Sequence, residues 1–413
     1  MIDINSLRLP NGLLLLHHRV TSTQMVVVNT MYNVGARDEV IGRTGMAHLF
    51  EHLMFSGTPS IPDFDTPLQE AGGENNAWTT NDLTNFYDIL PAQNIETALW
   101  LESDRMANMS CTQQSLEVQK GVVVEEFKER CVNVPYGDIG HVLRAATFTT
   151  HPYRWPTIGL QFADIENATL DDINNFHAAH YAPGNATLCI TGNIEFADAA
   201  RLVEKWFGDI PYRHTAIRNL PAEPRQQSPR RIAINRNVPQ NMIIKAYHTC
   251  GRNDNMFPTC DIISDLLANG NSARFFKNIL METDLFTDLD AAVWGSIDPG
   301  LLVVTGKIAN GASIDKAEEA IQKEIRKIAN GDATQYEIDK YVNKLDSKEC
   351  FENIGYTDIA SKLCYHQLIS GDANNINREI DTYRSITTDI VAQEAEKLFA
   401  PNNETTILYG PEI

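Results

Sequence analysis

What the chain lacks narrows its function before any motif is read. Its seven cysteines, at 111, 131, 189, 250, 260, 350 and 364, include no Cys-x-x-Cys pair. An odd, scattered set argues against a disulfide framework or a cysteine zinc site and fits reduced thiols. No apolar stretch approaches the roughly 20 residues that span a bilayer. Met1-Ile2-Asp3-Ile4-Asn5 carries no basic region leading into an apolar run. The expectation is a chain without signal peptide or membrane span, cytoplasmic as written and periplasmic if a leader is removed. Positive charge is scarce: 34 Lys and Arg against 54 Asp and Glu leave a net charge of −20. That balance disfavours nucleic acid and anionic membrane surfaces as partners. It suits basic substrates, and it equally suits plain solubility.

What is present is an ordinary globular composition, 43% apolar and 21% charged, over 413 residues. That length exceeds one compact core, and two domains of about 200 residues follow from size alone. Leu7 to Arg19 reads as a strand pair about the Pro10-Asn11-Gly12 turn. Met25 to Val34 reads as a central strand, and Asn75 to Leu90 has strand-like density. Ile95 to Met106, Leu170 to His180 and Ala199 to Phe207 have helical spacing, and Ala186 to Thr191 reads as a buried strand. Ser115 to Arg130 is ambiguous: Val122-Val123-Val124 favours a strand, while Glu125, Glu126, Lys128, Glu129 and Arg130 favour a helix. Residues 212–231, with Pro221, Pro224, Pro229 and five arginines, read as a linker between domains 1–211 and 232–413. Beyond it the grammar restarts. Strands are expected at Ile232–Ile234, Met242–His248, Leu301–Ile308 and Thr405–Tyr409. Helices are expected at Phe257–Leu267, Ala273–Met281, Ile314–Ala329, Gln335–Glu349 and Asp389–Phe399. The repeated order suggests a duplicated α+β unit.

The stretch around which the chain is organised is Gly45-Met46-Ala47-His48-Leu49-Phe50-Glu51-His52-Leu53-Met54-Phe55. On a helix, Glu51 lies about −60° and His52 about +40° around the axis from His48. Two imidazoles one turn apart can close on one ion with a carboxylate beside them. Thr44 is the expected N-cap and Gly57 the expected terminator. Placing such groups on so apolar a helix costs solvation unless they have partners. Zinc is such a partner, taking neutral imidazole and carboxylate and keeping one position for water. His-x-x-Glu-His is one of the catalytic zinc motifs, and surface His and Glu on a helix is the bland alternative. Two histidines need a third protein ligand. The candidate lies in Val122-Val123-Val124-Glu125-Glu126-Phe127, whose Glu126 is 74 residues beyond His52.

With Glu126 in place the chain resembles the inverted-motif zinc metallopeptidases, the family of pitrilysin, insulin-degrading enzyme and mitochondrial processing peptidase. It is most similar to the short, processing-peptidase-like bacterial members. The resemblance covers nearly the whole first half. It includes Asn33-Val34-Gly35-Ala36-Arg37-Asp38-Glu39, Met54-Phe55-Ser56-Gly57-Thr58, Gly72-Gly73 and Asn76-Ala77-x-Thr79…Asp82-x-Thr84. It continues through Glu102-Ser103-Asp104-Arg105-Met106, His151-Pro152-Tyr153 with Ile158-Gly159, and Tyr181-x-Pro183-x-Asn185. It implies zinc held by His48, His52 and Glu126, with Glu51 as general base. It also implies a substrate-facing edge strand in which Asn76, Ala77 and Trp78 receive an extended peptide. Glu125 is better read as a solvated helix residue, and for Trp78 packing and substrate contact are equally favoured. The implied fold is α+β, two similar domains, each an antiparallel sheet flanked by helices. The implied enzyme is the catalytic subunit of a two-chain, clam-like zinc endopeptidase acting on peptides or unfolded segments.

Two departures stand out. Many relatives place a glutamate seven residues before the third ligand, in its outer shell, where this chain has Gln119. Relatives complete on their own carry an Arg and a Tyr, seven apart, after a Ser-x-Arg-like helix start, near the substrate carbonyl. Aligning on Ser272-Ala273-Arg274-Phe275-Phe276 puts Leu280 and Thr287 there, with Arg274 itself structural. The resemblance then implies a homologous partner subunit that supplies the Arg/Tyr pair, or a homodimer. The rivals are a non-catalytic assembly subunit and a peptide-binding protein of the same fold.

Overall fold

The computed structural model describes every residue except 216, 217 and 412. The linker expected at 212–231 therefore lies partly outside the described residues. The first half of the chain supplies strands β1 (Asn5–Arg8), β2 (Leu14–Arg19), β3 (Met25–Tyr32), β4 (Glu74–Thr79), β5 (Thr84–Pro91) and β6 (Ala186–Gly192). Its helices are α1 (Met46–Leu53), α2 (Asp65–Glu70), α3 (Ile95–Asn108), α4 (Gln113–Phe127), α5 (Ile139–Thr147), α6 (Phe162–Glu166), α7 (Leu170–His180) and α8 (Phe196–Phe207). The second half adds β7 (Arg230–Asn235), β8 (Met242–His248), β9 (Phe286–Trp294), β10 (Leu301–Ile308) and β11 (Glu404–Gly410). Its helices are α9 (Phe257–Ala268), α10 (Ile314–Ala329), α11 (Gln335–Glu352), α12 (Tyr356–Ser370), α13 (Glu379–Arg384) and α14 (Thr388–Leu398).

The two sheets have one plan. The first runs β1-β2-β6-β3-β5-β4 and the second β7-β11-β8-β10-β9. In each, one parallel pair (β2 with β6, β7 with β11) continues into antiparallel neighbours: β6-β3-β5-β4 in the first and β11-β8-β10-β9 in the second. Remove β1 and the sheets match strand for strand. Duplication is therefore visible in topology, although residue identity is too faint to reveal it. The sheets expected to be antiparallel are so except at that one pair.

The compact units are not the contiguous halves 1–211 and 232–413. The first gathers Met1–Arg130, His151–Pro221 and Glu349–Asn377. The second gathers Cys131–Thr150, Ala222–Lys348 and Arg378–Ile413. The exchange is reciprocal: α12, late in sequence, packs on β3 and β6 of the first sheet, and α5, early in sequence, packs on β8 and β11 of the second. Apolar surface explains the first case. Ile359, Ala360, Leu363 and Cys364 of α12 join Leu14, Leu16, Val27, Met31 and Cys189 in one buried cluster. Strand β3 also meets α3, which is why it reads as a continuous apolar run and not as an alternation. In the second unit, α9, α10, α11 and α14 bury a separate core with Ile243, Tyr247, Leu302, Val304 and Leu408 of the sheet.

Three local expectations change. Asn75 to Leu90 is a hairpin, because Thr80 to Leu83 turns back, Thr80 N–H bonding to Leu83 O at 2.8 Å. The ambiguous stretch is helical: Leu116, Lys120, Val123, Val124 and Phe127 form the buried face of α4 and override β propensity. Strand β9 was not expected at all, since Thr287, Asp288 and Asp290 on it face solvent.

Candidate metal centre

Helix α1 starts by an unusual route. Gly45 is its N-cap residue in the left-handed region at φ 82°. A Cβ there would come within 2.9 Å of the Ile158 carbonyl oxygen, so glycine is required twice over. The expected Thr44 cap is not made, because Thr44 Oγ1 donates instead to Asp164 Oδ2 at 2.6 Å. The orphan amides are met by Glu39, which accepts from Gly45 N–H and Ala47 N–H at 2.8 Å each. Burial pushes the Glu39 carboxyl well above the usual range, the two amide bonds opposing it. The helix ends at Leu53, and Gly57, at φ 86°, shapes the turn that follows. Met46, Ala47, Leu49, Phe50 and Leu53 are buried, which leaves His48, Glu51 and His52 on the remaining face.

Helix α4 brings the third group. His48 Nε2 lies 3.6 Å and His52 Nε2 3.5 Å from Glu126 Oε2, and one donor atom from each residue falls within 4.8 Å of the others. These separations exceed hydrogen-bond length. They approach the edge of a tetrahedron, about 3.4 Å, whose corners lie about 2.0–2.1 Å from a central zinc. The imidazole planes stand at 88°, so the rings do not stack out of convergence. Burial, then the neighbouring His52, pulls the His48 imidazole down to about 4, favouring the neutral form that a metal takes. The donor set and its spacing fit zinc.

The remaining sequence candidates fall into place around this cluster. Glu51 lies on α1 between the two histidines, and its Oε2 accepts a hydrogen bond from Thr79 Oγ1. Burial raises the Glu51 carboxyl, the Thr79 bond opposes that rise, and the charge of Glu126 adds to it. Thr79 ends β4, the edge strand on which Asn76, Ala77 and Trp78 lie opposite Tyr87, Phe86 and Asn85 of β5. Asn76 is exposed and Ala77 half-buried, while Trp78 packs against the α12 cluster, so packing accounts for much of that residue. Glu125 is exposed and pairs with Lys128 at 2.7 Å. Gln119 lies two turns before Glu126 on the same helix, but no hydrogen bond joins the two among the described residues. The second oxygen of Glu126, Oε1, is instead met by Arg130 Nη2 at 2.8 Å. Sequence reasoning missed Arg130 in that role, and the i, i+4 spacing was its signal.

In the second unit, α9 follows β8 as α1 follows β3 in the first, and it carries Asp261 and Asp265. Asp261 accepts from Tyr341 and Tyr383, and Asp265 from Lys344. Arg274 is 8% exposed and bonded to Glu337 and Asp332. Leu280 packs against the unit's core, and Thr287 lies exposed on β9.

Residues 15–158 match the family model described as Insulinase (Peptidase family M16), and residues 167–345 that described as Peptidase M16 inactive domain. Zinc protease PqqE of Helicobacter pylori is 26% identical over 419 aligned residues, covering 98% of this chain and 92% of that protein. The crystal structure of a protease from Helicobacter pylori superposes with a TM-score of 0.93 at 24% identity, covering all of both chains. The first half of the periplasmic protease PqqL from Escherichia coli gives 0.81 at 17% identity, covering 99% of this chain and 92% of that one. At those identities the structural likenesses speak to fold. The sequence matches span both parts of the chain, which belongs to peptidase family M16.

Proposed function

We propose that the chain is a zinc-dependent endopeptidase acting on peptides or unfolded segments. The observation that carries this reading is the convergence of His48, His52 and Glu126 beside a base tied to an edge strand. His48, His52 and Glu126 would hold the ion. Bound there, zinc lowers the pKa of a water toward about 7 and polarises a carbonyl. Glu51, beside these residues and hydrogen-bonded to Thr79, is placed to accept a proton from an attacking water and to return it to the leaving amine, as a general base and then a general acid. The Thr79 hydroxyl fixes the Glu51 carboxylate for this task. Strand β4 orients the substrate, because an extended peptide can add to its outer edge through main-chain hydrogen bonds. Recognition of that kind reads backbone more than sequence, and a net charge of −20 favours basic peptides.

Among the described residues no helix is long and apolar enough to cross a membrane. A periplasmic site of action, like that of the periplasmic protease PqqL from Escherichia coli, is our reading for a chain that carries a leader. A second reading, peptide binding with little turnover, is favoured by one observation. Arg274 of the second unit is tied down by acids, and Leu280 and Thr287 offer neither cation nor phenol.

The test separates the roles around the metal. Wild type is expected to hold about one zinc per chain and His48→Ala/His52→Ala to hold none, by elemental analysis. Glu51→Gln is expected to keep zinc and lose 10²–10⁴-fold in peptide hydrolysis, roughly the worth of a general base. Glu126→Gln is expected to weaken zinc retention itself. Equal zinc in wild type and the double variant would refute the metal site, and a fully active Glu51→Gln would refute the base.

A further inference from the structure

The two oxygens of Glu126 face different partners, and the difference has chemical content. Oε2 points to His48 and His52 at 3.6 and 3.5 Å, while Oε1 is held at 2.8 Å by the Arg130 guanidinium. A terminal carboxylate torsion is broad and roughly two-fold, so an unheld Glu126 would sample many orientations about that bond. We propose that Arg130 is the positioning residue for the third zinc ligand: by occupying Oε1 it turns Oε2, and only Oε2, toward the imidazoles. This inference rests on the zinc reading above.

The local backbone is built for it. Helix α4 ends at Phe127 and widens into a π-helical turn over Lys128–Val132, a distortion often found at functional sites. Arg130 is the i+4 partner of Glu126 on that turn, while the neighbouring acid Glu125 is taken by Lys128. The Arg130 side chain is 69% exposed, and a pair so open to water adds little to folding stability. Its value lies in orientation. Gln119, two turns upstream, makes no bond to Glu126. A competing effect has the opposite sign. A guanidinium near a dication repels it, so if charge alone mattered, removing Arg130 would tighten zinc binding.

The experiment uses the full chain and reads zinc affinity by competition with a chromophoric chelator, with no substrate present. Arg130→Gln and Arg130→Met are each expected to weaken zinc by about 10–100-fold, the usual scale for partners of metal ligands. Arg130→Lys, which keeps a cation without the planar fork, is expected to fall between these variants and wild type. Glu125→Gln, with the same exposure and a different partner, is expected to bind as wild type does. Matching melting curves for the metal-free proteins exclude misfolding. The proposal is overturned if Arg130→Gln or Arg130→Met binds zinc as tightly as wild type, or more tightly. Wild type that binds zinc alongside such a result leaves the zinc site standing and removes only the role of Arg130. Wild type that binds no zinc removes both.

Discussion

At the scale of single residues, burial raises the carboxyls of Glu51 and Asp88, as it does that of Glu39, to different ends. In Glu51 the rise accompanies the proposed role in proton transfer. Asp88, on β5, is fully buried and makes no use of it. Burial first, and the charge of Glu102 second, push its carboxyl well above the usual range, with Arg105 opposing. Arg105 is itself paired with Glu102 and sits against the rings of Phe64 and Phe86, each at 4.4 Å. A folded state that holds the proton more tightly than the unfolded chain is stabilised below the unfolded value, about 3.9, and loses that stability as pH rises through the folded value. Asp88→Asn removes the titration. Its melting temperature relative to wild type is therefore expected to climb as pH goes from 4.5 to 8, by thermal denaturation at each pH. A difference flat with pH would show that Asp88 is not the source. Of the candidate site residues, His48, Glu51 and His52 were legible because they share one helix turn, and Glu126 because a family resemblance carried it. Arg130 and Glu39 were not, since each acts on a neighbour whose orientation only the fold reveals.

At the scale of elements, α1 shows how a helix can be legible while its start is not. Its apolar face and its histidines follow from periodicity. Its N-terminus departs from the side-chain cap rule, because Thr44 is drawn to Asp164 and the amides are served by Glu39 from six residues upstream. The strain is concentrated at Gly45. Gly45→Ala is expected to destabilise the protein by about 1–2 kcal/mol from the left-handed backbone alone, with more from the approach to Ile158 O. The check is a lower urea midpoint at unchanged slope, and a midpoint equal to wild type would remove the argument. Strands gave a different lesson. β3, covered by helices on both sides, announces itself as an apolar run. Strand β9 carries acids on its solvent side and is invisible to a search for apolar runs. Yet β9 holds in the second sheet the edge position that β4 holds in the first.

At the scale of the whole molecule, the two units share a plan and differ in chemistry. One carries the candidate metal-binding set and the other carries aspartates bonded to Tyr341, Tyr383 and Lys344. Loss of one oxyanion donor typically costs about 10²–10³ in rate, and Leu280 and Thr287 offer neither the cation nor the phenol of the Arg/Tyr pair. The isolated chain is accordingly expected to be a poor peptidase, with a homologous partner restoring turnover through an Arg/Tyr pair supplied in trans. A homodimer using other residues is the competing arrangement. Assaying an unstructured basic peptide with the chain alone and with its candidate partner decides the matter. Equal rates, or indifference to mutation of the partner's Arg and Tyr, would end the complementation idea. Duplication was legible in the order of elements, whereas the exchange of α5 and α12 between units was not, because helical periodicity says which face is buried and not against what. That exchange also sets a timetable. A ribosome releases His48, His52 and Glu126 by residue 126, but the unit that carries them cannot close its core until Ile359, Leu363 and Ile376 emerge. Most of the second unit must be synthesised in the meantime, so the face of the first sheet that α12 covers waits, exposed, until more than four-fifths of the chain has emerged. Truncation near residue 350 would thus be felt first by the early half of the protein.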